Sequence, residues 1–234
     1  MVRRNGARVW ALSTVVTALG LCLTTAPGTA TADTGDISNV NQSIHIEAGD
    51  HAGKVSTVNG SIRIGANAVV GNASTVNGSL NLDSRATAAK LDTVNGSIHL
   101  EDGVQVHGRV RSVNGSLHIG NDADVDGDLA NVNGSIHVGA SHIGGSINTS
   151  SGGIDLGPNA HVDGGVKVER DNSWHFGFWD FGRPQEIIIR PGTVVKGTLH
   201  FERPVVLYVS NRATIGAVEG AEVRKFSGDN PPND

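Results

Sequence analysis

The chain has 234 residues, which is enough for one elongated domain or two small ones. It contains 32 glycines but only 4% aromatic residues, a composition that suits many tight turns between short strands. The formal net charge is −5, and no basic stripe or block of Lys and Arg appears, so the composition gives no reason to expect a nucleic-acid partner.

Residues 1–32 have the pattern of an export signal. Arg3 and Arg4 give a positive start, residues 9–23 form an apolar run, and Ala30-Thr31-Ala32 fits an A-x-A cleavage site. The apolar run is shorter than the roughly 20 residues that a membrane-spanning helix needs. We therefore predict an exported protein, located in the periplasm, on the cell surface or outside the cell, with no transmembrane segment after signal removal.

Cys22 is the only cysteine and lies inside this signal. Its removal leaves a mature chain without a disulfide framework or a cysteine metal site. An uncleaved N-terminal anchor and a lipoprotein at Cys22 are the alternatives, and the large Leu21 before the cysteine disfavours the second.

Residues 33–168 repeat a short string ending in Asn-Gly-Ser at a nearly fixed interval. A period of about 18–19 residues is typical of one supersecondary unit stacked on itself. Aliphatic residues recur every six positions, so each period holds three short strands and three corners. The pattern predicts an all-β, single-stranded parallel β-helix with coils of about 18–19 residues. Its second apolar position often holds Ile, Leu or Val rather than a small residue, which favours a right-handed helix over a left-handed one.

The hexad assigns the valine of each repeat, such as Val58, Val76 and Val94, to the interior. The Asn and Gly that follow accept positive φ and therefore suit a sharp corner. Because successive coils lie about 4.8 Å apart, the Asn side chains are expected to bond to one another as a structural ladder. The predicted ladder consists of Asn41, Asn59, Asn77, Asn95, Asn114 and Asn133.

The repeat is interrupted at residues 169–186, where most of the aromatic residues are concentrated. This insertion is either an exposed loop that binds a partner or a cover folded back onto the solenoid. Residues 187–226 resume the hexad as the final β-helix coils, and residues 227–234 form a polar tail that we expect to be disordered. The candidate binding residues are Trp174, Phe176, Phe178, Trp179 and Phe181.

The stacked hexads of residues 58–168 and 189–218 resemble the bactofilins, the polymer-forming cytoskeletal family of bacteria. The repeated Thr-Val-Asn-Gly-Ser-Ile string is similar to the Gly-rich repeats of bacterial adhesin domains, which are predicted β-solenoids. The resemblance implies a right-handed β-helix and assembly through the coil ends, and it implies no catalytic residue.

Three features of the sequence suggest chemistry, namely two columns of equivalent positions and one acidic segment. One column runs through His45, Arg63, Asn81, His99, His118, His137 and Asp155. Its three consecutive histidines could capture Zn²⁺ or Cu²⁺, although a column lacks a converging fourth ligand, so no metal site is predicted. Residues 122–128 begin like an EF-hand loop, but Asn133 stands where the loop needs Glu. A hydroxyl column that begins at Thr57 is similar to those of ice-binding proteins, but it degrades after three coils.

Catalysis finds little support in the sequence. It contains no Gly-x-Ser-x-Gly elbow, no His-Glu-x-x-His pair and no phosphate-binding loop. We therefore predict a non-enzymatic structural or adhesive β-solenoid of the bacterial cell envelope that needs no cofactor. Its expected partners are further copies bound through the coil ends, an envelope glycan or a surface protein. The alternative is a carbohydrate- or protein-binding module that acts through the aromatic insertion.

Overall fold

The computed structural model describes residues 35–170 and 184–232. Within these residues the regular structure consists of 27 β-strands, and no helix is present. The strands pair in parallel, each with the equivalent strand of the next coil, to give a β-solenoid of about nine turns. The predicted fold class is confirmed, whereas the right-handed winding stays a prediction.

The first face of the solenoid is a ten-stranded parallel sheet. Residues of this face alternate between the core and solvent, as in Ile98, His99 and Leu100. Its strands are β2 (Ile44–Ile46), β5 (Ile62–Ile64), β7 (Leu80–Leu82), β9 (Ile98–Leu100), β12 (Leu117–Ile119), β15 (Ile136–Val138), β18 (Ile154–Leu156), β21 (Gln185–Ile189), β24 (Val205–Ser210) and β27 (Val223–Phe226).

The second and third faces belong to one 17-stranded sheet. They are joined because β6 (Val69–Asn77) and β8 (Thr87–Asn95) run without a break through the corner between them. The remaining strands of the second face are β3 (His51–Ala52), β10 (Gln105–Val106), β13 (Asp124–Val125), β16 (His142–Ile143), β19 (His161–Val162), β22 (Val194–Val195) and β25 (Thr214–Ile215). Those of the third face are β1 (Ile37–Ser38), β4 (Val55–Asn59), β11 (Val110–Asn114), β14 (Leu129–Asn133), β17 (Ile147–Thr149), β20 (Val166–Val168), β23 (Leu199–Phe201) and β26 (Val218–Glu219).

The core consists of aliphatic columns that run along the solenoid axis. Ile62, Leu80, Ile98 and Leu117 stack in register on the first face and are fully buried. Strands this short cannot bury a face alone, so the stacking of coils supplies the hydrophobic stabilisation.

The valines of the repeat do not belong to this core. Val58, Val76 and Val94 are each 40% exposed, so their predicted interior position is wrong. Residues of β4 alternate, which places Val55 and Thr57 inside and turns Val58 outward at the corner. A threonine is tolerated at the buried position because its hydroxyl is bonded: Thr57 Oγ1 donates to the Gln42 carbonyl at 2.9 Å.

Two corners of the coil use glycine for different reasons. At the Asn–Gly corner, between the third and first faces, a Cβ built on Gly96 would overlap the carbonyl oxygen of Gly78 in the coil before. Gly60, Gly78, Gly96 and Gly115 are not among the positive-φ residues, so the predicted reason for glycine is wrong at these four corners. It holds for Gly134, where φ is 128°.

The left-handed corner lies instead between the first and second faces. In seven coils one residue at this corner has a positive φ, between 52° and 77°. That residue is Gly, Asn or Asp in six coils and Arg in the seventh. The residues are Gly49, Asn67, Arg85, Gly103, Asp122, Asn159 and Gly192. Gly, Asn and Asp are the residues that accept this conformation at least cost.

Candidate functional site

The predicted aromatic site lies outside the described residues, as do the export signal and the last two residues of the tail. Trp174, Phe176, Phe178, Trp179 and Phe181 belong to the undescribed residues 171–183. The flanking strands β20 and β21 belong to the third and first faces. A binding module based on this insertion stays a prediction.

The six asparagines of the repeat lie in one exposed column and bond to one another. From Asn59 onward, each side-chain amide donates to the Oδ1 of the Asn in the coil before, which gives five bonds of 2.8 or 2.9 Å. The series runs from Asn41 to Asn133 without a gap. Such a ladder fixes the register of neighbouring coils, because each amide meets its partner only when the corners are aligned.

The hydroxyl column that begins at Thr57 is part of the interior. Thr57, Thr75 and Thr93 are 4% exposed or less, and Thr93 Oγ1 donates to the Gly78 carbonyl at 3.0 Å. An ice-binding surface needs these hydroxyl groups at the exterior, so that interpretation is wrong. Their role is to satisfy carbonyl groups at the Asn–Gly corner.

The histidine column occupies the outward positions of the first face. His99, His118 and His137 lie in register on β9, β12 and β15. The ring centroids are 4.7 and 5.0 Å apart, with interplanar angles of 4° and 9°. Imidazole faces are therefore covered by one another, and the ring edges remain for a ligand.

Stacking favours the neutral form of the central imidazole, that of His118. Burial of its ring lowers the pKa of His118, and the positive charges of His99 and His137 lower it further. Protonation is thus disfavoured in the folded chain. The stability that His118 contributes is present above the unfolded pKa and is lost as the pH falls below it.

A second histidine group on the second face shows the opposite behaviour. His142 Nδ1 lies 2.8 Å from Asp124 Oδ1, and its Nε2 lies 3.1 Å from Asp163 Oδ2. These two hydrogen bonds, Asp124 first, raise the pKa of His142. The resulting stabilisation is present below the unfolded pKa and is lost as the pH rises through the raised folded value.

Asp163 connects three coils through this group. His161 Nε2 lies 3.2 Å from its Oδ1, and Lys196 Nζ lies 2.7 Å from the same oxygen. Lys196 and then His142 lower the pKa of Asp163 to about 2. Sequence reasoning missed this cluster, although reading each outward column at the period of the repeat would have found Asp124, His142 and His161 in register.

The aspartates of residues 122–128 do not converge on one point. Asp124 binds His142, Asp126 Oδ2 lies 3.1 Å from His107 Nδ1, and Asp128 Oδ1 accepts a bond from the Ser146 amide. Within residues 35–170 and 184–232, no group of three or more His, Cys, Asp or Glu side chains is arranged to hold a metal ion.

The C-terminal residues 227–232 have no regular secondary structure but are held by arginines. Arg190 binds Asp155 through two bonds of 2.7 and 2.8 Å, and its Nη1 donates to Asn230 Oδ1 at 2.6 Å. Arg212 Nη2 donates to Asp229 at 2.8 Å. The tail therefore lies along the side of the last coils.

No family model, no curated protein and no solved structure matches this chain. The resemblance to bactofilins and adhesin domains accordingly stays a prediction. In the part of the chain that the structure describes, no helix has the length and apolarity to cross a membrane.

Proposed function

We propose that the protein is an exported, non-enzymatic structural or adhesive element of the bacterial cell envelope. The observation that carries this proposal is the stack of coils. The coils share one continuous core, and each of six successive coils presents an exposed asparagine at the same place. Ten strands at about 4.8 Å per coil give a rod of about 43 Å. Such a rod presents regular faces and edges along its length.

The amino-terminal pattern supports export. A basic start, an apolar run and Ala30-Thr31-Ala32 are the three parts of a secretory signal. A mature chain without cysteine also folds independently of the redox state of its compartment.

The C-terminal coil indicates a discrete rod rather than a polymer subunit. β25 and β26 have two residues each, and β27 carries Lys225 in register with Val209, where preceding coils have an aliphatic residue. Short edge strands and an exposed lysine on the last strand both oppose pairing with another chain. Self-association through the coil ends, which the resemblance to bactofilins implies, is therefore disfavoured at this end.

Export is tested by expressing the full chain in a bacterial host and sequencing the N-terminus of the exported protein. Cleavage after Ala32 is expected, and the variant Ala30→Leu/Ala32→Leu should accumulate uncleaved. An intact N-terminus in the cytoplasmic fraction of the native chain would refute the proposal.

Light scattering and electron microscopy of the mature protein test whether the rods associate end to end. Single rods are expected, and Lys225→Ile should promote end-to-end association because it removes the charge from the edge strand. Lys54→Ile, a lysine far from the C-terminal edge, is the matched control. Filaments of the unmodified protein would show that the ends are not protected.

A further inference from the structure

The histidine column of the first face has the properties of a binding surface whose charge depends on pH. His99, His118 and His137 form a straight row of ring edges with one imidazole per coil. Each protonated ring can donate hydrogen bonds outward, because stacking covers the ring faces and leaves the edges free.

Few acidic groups lie close enough to neutralise this row. Asn81, in register before His99, is neutral. Asp155, in register after His137, is bound by Arg190. Gly120 and Gly139 directly follow the strands of His118 and His137, and the acidic residue of the His118 coil at this corner is Asp122, further along the chain.

The other acids at this corner are Glu101 and Asp102 after His99, and Asp83, whose carboxylate binds Arg63 at 3.0 Å. Full protonation of the three imidazoles therefore creates a positive row that the fold leaves largely uncompensated. Four histidines of the other faces differ, since His107, His142, His161 and His200 each lie within 3.2 Å of a carboxylate oxygen.

Neutral hydrogen-bonding groups lie along the other side of the row. Ser97, Ser116 and Ser135 precede the three strands and are partly exposed. The Asn ladder runs next to them through Asn95, Asn114 and Asn133. A strip of imidazolium, hydroxyl and amide groups matches a chain that carries both carboxylates and hydroxyls better than one that carries charge alone.

We propose that this column is a binding site for a linear acidic polysaccharide in acid conditions. Carboxylates of the sugar chain accept hydrogen bonds from the protonated imidazoles, and its hydroxyl groups bond to the serine and asparagine columns. Binding depends on the protonated form of imidazole, so the sugar chain dissociates as the pH rises. This inference names the partner of the adhesive surface and rests on the proposed function. Binding is measured in vitro and export is measured in cells, so a failure of the binding inference can be distinguished from a failure of the proposed function.

The test uses the purified mature protein and a polygalacturonate oligomer, with binding measured by calorimetry at about pH 5 and about pH 7.5. Neutral dextran and inorganic polyphosphate of similar length serve as the other probes. The test variant is His99→Gln/His118→Gln/His137→Gln. The matched control, His51→Gln/His107→Gln/His200→Gln, removes three imidazoles from the other two faces, and circular dichroism confirms that both variants fold.

Binding of polygalacturonate is expected to be about tenfold tighter in acid, since three exposed ion pairs each contribute modestly. The column variant should lose this gain, and the control should keep it within about twofold. Addition of polygalacturonate should also raise the pKa of the column histidines in NMR titrations, because a ligand that prefers the protonated form stabilises it.

Three results would overturn the assignment: equal affinity at both pH values, equal loss in the column and control variants, or dextran binding as tightly as polygalacturonate. The assignment would also be overturned if polyphosphate bound more tightly than polygalacturonate and the column variant abolished that binding. The site would then recognise negative charge alone and not the hydroxyl groups of a sugar.

Discussion

The two corners of the coil that contain glycine require it for different physical reasons. At the Asn–Gly corner the chain passes so close to the preceding coil that a Cβ on Gly78 or Gly96 would overlap a carbonyl oxygen. At the left-handed corner there is more space, and the constraint is φ, which is 72° at Gly103. The first corner is set by contact between coils, and the second by the conformation of a single residue.

Exceptions at each corner support this distinction. Gln42 takes the place of glycine in the first coil, where the described residues include no preceding coil to collide with. Arg85 takes the left-handed position with φ of 58°, and its Nε donates to Asn67 Oδ1 at 3.0 Å. A side chain is tolerated at each corner where the particular constraint is absent or is offset.

The largest effect is expected for Gly96→Ala. The new methyl group meets backbone of the coil before, which cannot move without breaking the stack, so the free energy of unfolding should fall by about 3 kcal/mol or more. Urea unfolding measures the change. Gln42→Ala is the control and should change stability by less than about 0.5 kcal/mol; a similar loss in both variants would show that coil contact is not the reason for glycine.

Gly103→Ala is expected to cost less, about 1–2 kcal/mol, because the penalty is that of one L-residue in left-handed conformation. Its Cβ meets only the flexible Arg85 side chain, at 3.1 Å. Gly103→Asn should recover part of the loss, since Asn tolerates this conformation. An alanine variant that unfolds more easily than Gly96→Ala would reverse the order of the two constraints.

Asn95→Ala removes two ladder hydrogen bonds at the Asn–Gly corner, those to Asn77 and from Asn114. The column is exposed to water, so the loss should be about 1 kcal/mol. Asn133→Ala, at the end of the ladder, removes one bond and should cost about half as much, with both variants measured by thermal unfolding. No change in either variant would mean that the ladder does not contribute to stability.

Arg85→Asn should have the smallest effect and the opposite sign. Relief of the left-handed arginine outweighs loss of its bond to Asn67, giving a gain of about 0.5 kcal/mol. Thermal unfolding against the native chain measures it, and a loss larger than this gain would show that the Arg85–Asn67 bond dominates.

The repeat period predicted the coil, because each outward or inward position recurs once per period and aligns one coil with the next. Ile62, Leu80 and Ile98 were assigned to the core from this period alone, and they are fully buried. The histidine column followed from the same reasoning.

The six-residue period gave a wrong core assignment where two adjacent residues could each have occupied the same inward position. Val58 is more apolar than Thr57, so hydrophobicity assigned the valine to the core. The alternation of β4 and the bond from Thr57 to the Gln42 carbonyl decide otherwise, and neither is visible in a six-residue count. The left-handed corner was missed for a related reason, since its residues vary in type and share only φ.

The most direct test of the central claim, that each period of the repeat forms one coil in register with the next, is a disulfide between outward positions of the third face. In a Cys22→Ser background, Ser56→Cys and Ser74→Cys occupy register partners on β4 and β6. At about 4.8 Å their Cα atoms lie within disulfide range. The pair Ser56→Cys and Asp92→Cys, two coils apart, lies outside that range.

Mass spectrometry after mild oxidation should find an intramolecular disulfide in the first pair and free thiols in the second. Free thiols in the first pair, or a disulfide in both, would contradict the coil.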